Sequence, residues 1–149
     1  MTIVRDVVVA LTLLLISSFL LSAQTTPTCT LTVVVDGMSS STGNLGILVF
    51  NSNKGWPEDR TVAFRDIAIP AQPGSQTVKI PDLPPGRYAI SLVHDENKNH
   101  KVDKNWIGQP KEQWGMSNSL HATLKAPPIE KAWFDLASDR EIHIQINNP

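Results

Sequence analysis

Oxygen-bearing side chains recur at alternate positions in the stretch DENKNHKVD, at Asp95, Asn97, Asn99 and Asp103, with Lys101 in a slot where a backbone carbonyl can serve. This is the spacing of a calcium loop. A hard divalent cation takes about six to eight oxygens, and a tight loop supplies them without long-range assembly. Two positions depart from the EF-hand pattern. The sixth, where the sharp turn favours Gly, holds His100, and the twelfth, where a Glu would grip the ion with both oxygens, holds Trp106. A further carboxylate must come from Glu112 or Glu96, and Lys98, Lys101 and Lys104 stand close enough to oppose a cation. The expected affinity is therefore weak, with a dissociation constant of roughly 10⁻⁴ to 10⁻³ M, which suits a structural pin in a calcium-replete medium. The same residues also make turns without metal, because Asn and Asp side chains bond to backbone amides two residues on.

His94, immediately before the loop, is the one candidate for acid–base chemistry, and a hydrolase using it with Asp95 or Glu112 is the alternative function. Neighbouring residues on a strand point to opposite faces, so His94 and Asp95 cannot act side by side unless the strand has ended. A His at a strand end is more often a packed or capping residue. The Ser residues and the single Cys29 lack a nucleophile-elbow context, and the four His residues lack zinc spacing. Thirteen Lys and Arg nearly balance fourteen Asp and Glu, for a net charge of −1. No basic cluster interleaved with aromatics is present, which argues against nucleic acid as a partner.

The elements that must position these residues read as strands. Residues 30–35 alternate Leu31, Val33 and Val35 against Thr30, Thr32 and Val34, the period of a half-buried sheet. Residues 45–50 are apolar on both faces, as in a central strand, and residues 61–69, 76–80, 87–94, 132–136 and 141–146 repeat the pattern between turn-forming stretches. The fold expected is all-β, an antiparallel β-sandwich of about seven strands, immunoglobulin-like or transthyretin-like. In LPPGRY, two prolines preset an extended backbone and Gly86 is expected to supply the dihedrals of a sharp turn, after which Tyr88, Ile90, Leu92 and His94 share one face. Residues 103–128 are long for a hairpin connection, and long loops in compact domains are usually functional. They are expected to fold over one end of the sandwich as a cap, with a helical turn near 111–114 and Trp106, Trp114, Met116 and Leu120 as apolar anchors. Trp56, Trp106 and Trp114 are also the candidate partner surface, because amphipathic aromatics dominate hot spots, although core packing is the expectation for them.

The first 23 residues carry Arg5, an apolar run over 7–21 and a small-residue exit at Ser22 and Ala23, the outline of a secretory signal peptide too short to span a bilayer. Residues 24–149 then form a single domain, exported to the periplasm or beyond, with no membrane span after cleavage. Cys29 has no disulfide partner and reads as a buried small side chain.

LPPGRYAISLVHDENKNHKVDKNWIGQPKEQWGMSNS resembles the bacterial family of exported domains named domain of unknown function 2141, and the likeness covers nearly all of residues 24–149. Gly108, Pro110, Glu112, Gly115, Ser117 and Asn118 fill the family's G-x-P-x-E-x-x-G-x-S-N segment, while His100 stands where its loop usually has Gly. The resemblance implies a sandwich akin to transthyretin-like and collagen-adhesin B-type domains. The function expected is a non-enzymatic binding or structural module at the cell envelope, pinned by calcium, with a peptide, glycan or envelope protein as partner.

Overall fold

The structure, a computed structural model, describes residues 27–120 and 126–148. The leader expected over 1–23 lies outside the described residues, as do residues 121–125 of the cap.

Among the described residues, eight strands form two sheets: β1 (Cys29–Met38), β2 (Asn44–Phe50), β3 (Arg65–Pro70), β4 (Gly74–Leu83), β5 (Gly86–Asp95), β6 (Trp114–Met116), β7 (Phe134–Leu136) and β8 (Arg140–Gln145). The smaller sheet has the order β4-β1-β8 and the larger β3-β2-β5-β6, with β7 also paired to β5. The sandwich is not purely antiparallel, because β8 runs parallel to β1, from Leu31 opposite Arg140 to Asp36 opposite Gln145. One bridge joins the two sheets along an edge: the Trp114 N–H donates to the Asn147 carbonyl at 3.1 Å and the Asn147 N–H returns to Trp114 at 2.6 Å.

Period-two alternation puts Leu31, Val33 and Val35 of β1 and Leu45, Ile47 and Val49 of β2 into the space between the sheets. Val78 and Ile80 of β4, Tyr88, Ile90 and Leu92 of β5, and Ile144 of β8 complete this core, in which Cys29 is also buried. Burying each aliphatic chain stabilises the fold by about 1.5–3 kcal/mol. The larger sheet is also covered on its outer face. Phe50 and Ala89 lie beneath Ile129 and Ala132, and Trp56 meets Phe50 edge-on with ring centroids 5.4 Å apart. Two-sided burial is why residues 45–50 are apolar throughout.

Tyr88 donates its hydroxyl to the Pro84 carbonyl at 2.7 Å, tying the start of β5 to the proline turn. The turn is not made as expected, for Asp82 and not Gly86 has positive φ, at 58°. Gly86 instead lies under the Tyr88 ring, whose atoms a Cβ there would meet at 3.5 Å.

The helical turn expected near 111–114 does not form. Residues 114–116 instead pair with 91–93 as the short strand β6, and the His94 N–H donates to the Gln113 carbonyl at 2.8 Å. An open edge on β5 captured a segment whose local sequence is too short to nucleate a helix by itself. Residues 101–110 of the loop and cap border the outer face of the larger sheet.

Candidate functional site

The loop begins where β5 ends. Asp95 is 2 % exposed, and its carboxylate accepts the N–H of Asn99 at 3.1 Å and that of His100 at 2.8 Å. Lys98 and His100 both adopt positive φ, 59° and 63°, so the strained sixth position inferred from the sequence is real. Asn97 Oδ1 accepts the Asn99 N–H at 3.0 Å and Asn99 Oδ1 accepts the Lys101 N–H at 2.8 Å. The two carboxamide nitrogens turn to Asp103, Asn97 donating to Oδ2 at 2.6 Å and Asn99 to Oδ1 at 2.9 Å. Asn99 thus bonds to both carboxylates through different atoms, its backbone N–H to Asp95 and its carboxamide nitrogen to Asp103.

Glu112 straps the loop from the cap side, with Oε1 accepting the Glu96 N–H at 3.2 Å and Oε2 the Asp103 N–H at 3.1 Å. Burial raises its carboxyl above the ordinary value; the two backbone hydrogen bonds oppose that, and the charges of Asp103 and Asp95 add to it. Beneath the loop, Gly43 has φ of 75°, and a Cβ there would collide with the carbonyl oxygen of Asp95 and the Cα of Glu96. The close approach of two backbones at the head of the loop thus requires glycine.

Whether this donor set fits a divalent ion turns on where the oxygens face. The side chains of Asn97 and Asn99 both reach Asp103, and each carboxamide oxygen, already accepting a backbone N–H, retains a lone pair. Against this, it is the nitrogens of Asn97 and Asn99 that face Asp103, so an ion must displace those two hydrogen bonds. Among the described residues, no three His, Cys, Asp or Glu side chains group as a metal site. The loop thus closes on its own hydrogen bonds, with which an ion would have to compete. Of the three lysines expected to oppose it, Lys104 instead pairs with Glu58 at 2.7 Å.

The tryptophans separate. Trp114 is 8 % exposed, and Trp56 is half-buried with its indole N–H on the Pro127 carbonyl at 2.9 Å. Trp106 is 95 % exposed. The candidate partner surface of three tryptophans is thereby reduced to one, and Trp106 is no anchor for the cap. It stands beside Ile107 on a turn fixed by Asn105, whose Oδ1 accepts the N–H groups of Ile107 and Gln109 and whose carbonyl accepts that of Gly108.

His94 is completely buried. Its Nε2 lies 2.7 Å from the Thr42 carbonyl and its Nδ1 3.2 Å from Gln113 Oε1, while both Glu112 oxygens are held by backbone amides. Asp95 follows on the opposite face. The hydrolase alternative is not favoured by this arrangement, since neither ring nitrogen opens onto a space that could take a substrate.

Sequence reasoning missed a cleft of about 300 Å³ between the cap and the outer face of the larger sheet. Gly46, Ala68, Ser91 and Val93 floor it and Trp114 and Met116 wall it. The signal was present as small residues at outward-facing positions of three adjacent strands, but it is legible only once the pairing of those strands is known. The Ser91 hydroxyl donates to the Pro57 carbonyl at 2.6 Å, which ties the rim to the floor.

A family model described as an uncharacterized protein conserved in bacteria, domain of unknown function 2141, matches residues 33–145, from β1 through the loop and cap to the last residue of β8. The chain belongs to this family. No curated protein and no solved structure matches it. Family membership therefore carries both sheets and the 95–103 loop but no assigned activity.

Proposed function

We propose that the chain is a non-enzymatic binding module of the bacterial cell envelope, exported by its leader and using the cap and cleft to hold a peptide, a glycan or an envelope protein. The supporting observation is the cleft of about 300 Å³, whose apolar floor is built from a rigid sheet and whose cap is hydrogen-bonded in place. Pockets of this kind, pre-formed and largely apolar, are the usual form of a ligand site. The leader-like sequence of residues 1–23 supports export.

Calcium is the second part of the proposal. Asp95, Asn97, Asn99 and Asp103, with the Lys101 carbonyl and Glu112 as further oxygens, would hold the ion weakly and steady the loop from which the cap departs. Weak affinity follows from the hydrogen bonds that the ion must displace. Calorimetric titration of the processed chain with calcium tests this part: heat with a millimolar midpoint, absent in Asp95→Ala and Asp103→Ala, is expected, and no heat sinks it. Ala68→Phe, which puts a ring on the cleft floor, tests the cleft. A ligand captured from peptide or glycan arrays should lose binding to this variant while the fold persists; a ligand indifferent to it binds elsewhere.

A further inference from the structure

We infer that the turn carrying Trp106 and Ile107 docks the protein onto an anionic phospholipid surface. This deepens the proposed envelope role by naming a partner for the cap, and it does not require calcium.

Among the described residues, Trp106 and Ile107 are the large hydrophobic side chains left exposed, at 95 % and 48 %, and they are adjacent. A fixed turn holds them out: Asn105 accepts from Ile107, Gly108 and Gln109 and donates its own N–H to the Gln109 carbonyl at 2.8 Å. Little conformational freedom remains to be lost when this tip inserts. An indole next to an aliphatic chain matches the boundary between headgroups and acyl chains, where amphipathic rings concentrate.

Charge selects the lipid. Residues 95–112 carry four lysines, Lys98, Lys101, Lys104 and Lys111, against four carboxylates, but Asp95 and Glu112 are buried, so the outer side of the loop and turn sets the four lysines against Glu96 and Asp103 only, an excess of +2. All four lysines are exposed. Lys104 is shared with Glu58, and Asp103 is occupied by the two asparagines, which leaves Lys98, Lys101 and Lys111 as exposed charges outside the ion pairs of the described residues. Basic residues beside an apolar tip are attracted to anionic lipid within a Debye length. A protein partner fits less well, because a stable interface buries about 1,000 Å² or more, which two side chains on a narrow turn do not provide.

The test is co-sedimentation of the processed chain, in chelator, with vesicles of equal parts phosphatidylglycerol and phosphatidylcholine, and with vesicles of phosphatidylcholine alone. Binding to the mixed vesicles is expected, with a blue shift of tryptophan emission. Trp106→Ala should weaken partitioning by roughly tenfold or more while leaving the melting temperature unchanged. Lys98→Gln and Lys101→Gln should each weaken it by roughly fivefold, and added salt should erase that difference. Absence of binding to the mixed vesicles overturns the inference, as does binding that Trp106→Ala leaves intact. A blue-shifted Trp106 in lipid-free protein that sediments as a dimer would mean that a second copy covers the tip, and also overturns it. Calcium heats measured on the same protein remain informative in every case, so failure here is distinguishable from failure of the calcium site.

Discussion

Replacing Asp95 with alanine separates the two roles of the loop. The carboxylate is buried and accepts two backbone N–H groups. When it is removed, the Asn99 N–H keeps its bond to Asn97 Oδ1, but the His100 N–H loses its acceptor. Charged acceptors contribute about 1.5–3 kcal/mol each, and a donor left unsatisfied costs about 1–3 kcal/mol. Relief of repulsion at Glu112 offsets part of this, so a net loss of about 2–3 kcal/mol is expected. At roughly 4 °C per kcal/mol for a domain of this size, the melting temperature should fall by about 8–12 °C in chelator. For a dissociation constant of about 1 mM, about 10 mM calcium adds about 1.4 kcal/mol to the parent, or roughly 6 °C, and nothing to the variant. Differential scanning calorimetry in chelator and then in calcium reads both effects. If Asp95→Ala melts with the parent in chelator, the hydrogen-bond account of the loop is wrong. A variant that retains the calcium increment refutes the ion assignment alone.

The remaining predictions probe the neighbours. Gly43→Ala should destabilise by about 3 kcal/mol or more, from positive φ combined with collision against the head of the loop, read as a lower midpoint in urea with unchanged slope. Tyr88→Phe should cost about 1 kcal/mol, the hydrogen bond to Pro84, and a neutral result would show that bond to be idle. His100→Gly relieves the left-handed residue and should enlarge the calcium increment, although added freedom in the unfolded chain opposes the gain in chelator. Because the folded carboxyl of Glu112 is raised above 4.5, its contribution to stability is fully present below that value and is lost as pH rises through the folded value. Glu112→Gln should remove that downward slope from the stability profile above about pH 4.5. If the profiles of parent and variant stay parallel, the carboxyl is not raised.

The sheets were legible because period-two alternation is a local signal: Leu31, Val33 and Val35 declare their buried face whatever they pair with. The turn chemistry of the 95–103 loop was equally legible, since Asp and Asn bond to amides only a few residues away. Even the left-handed sixth residue could be inferred from loop position alone. Distance in sequence defeated the rest. Strand β6 exists because an edge of β5 was free to pair, and the parallel course of β8 beside β1 follows from how the two sheets close; neither is written in residues 114–116 or 140–145. Trp56, Trp106 and Trp114 are chemically alike, and only the path of the cap decided that two of them pack while one projects into solvent. The cleft likewise belongs to no segment, because Gly46, Ala68 and Ser91 become a floor only after three strands are set side by side. Sequence determined the pieces whose energetics are local, and tertiary structure alone decided which surfaces were left uncovered.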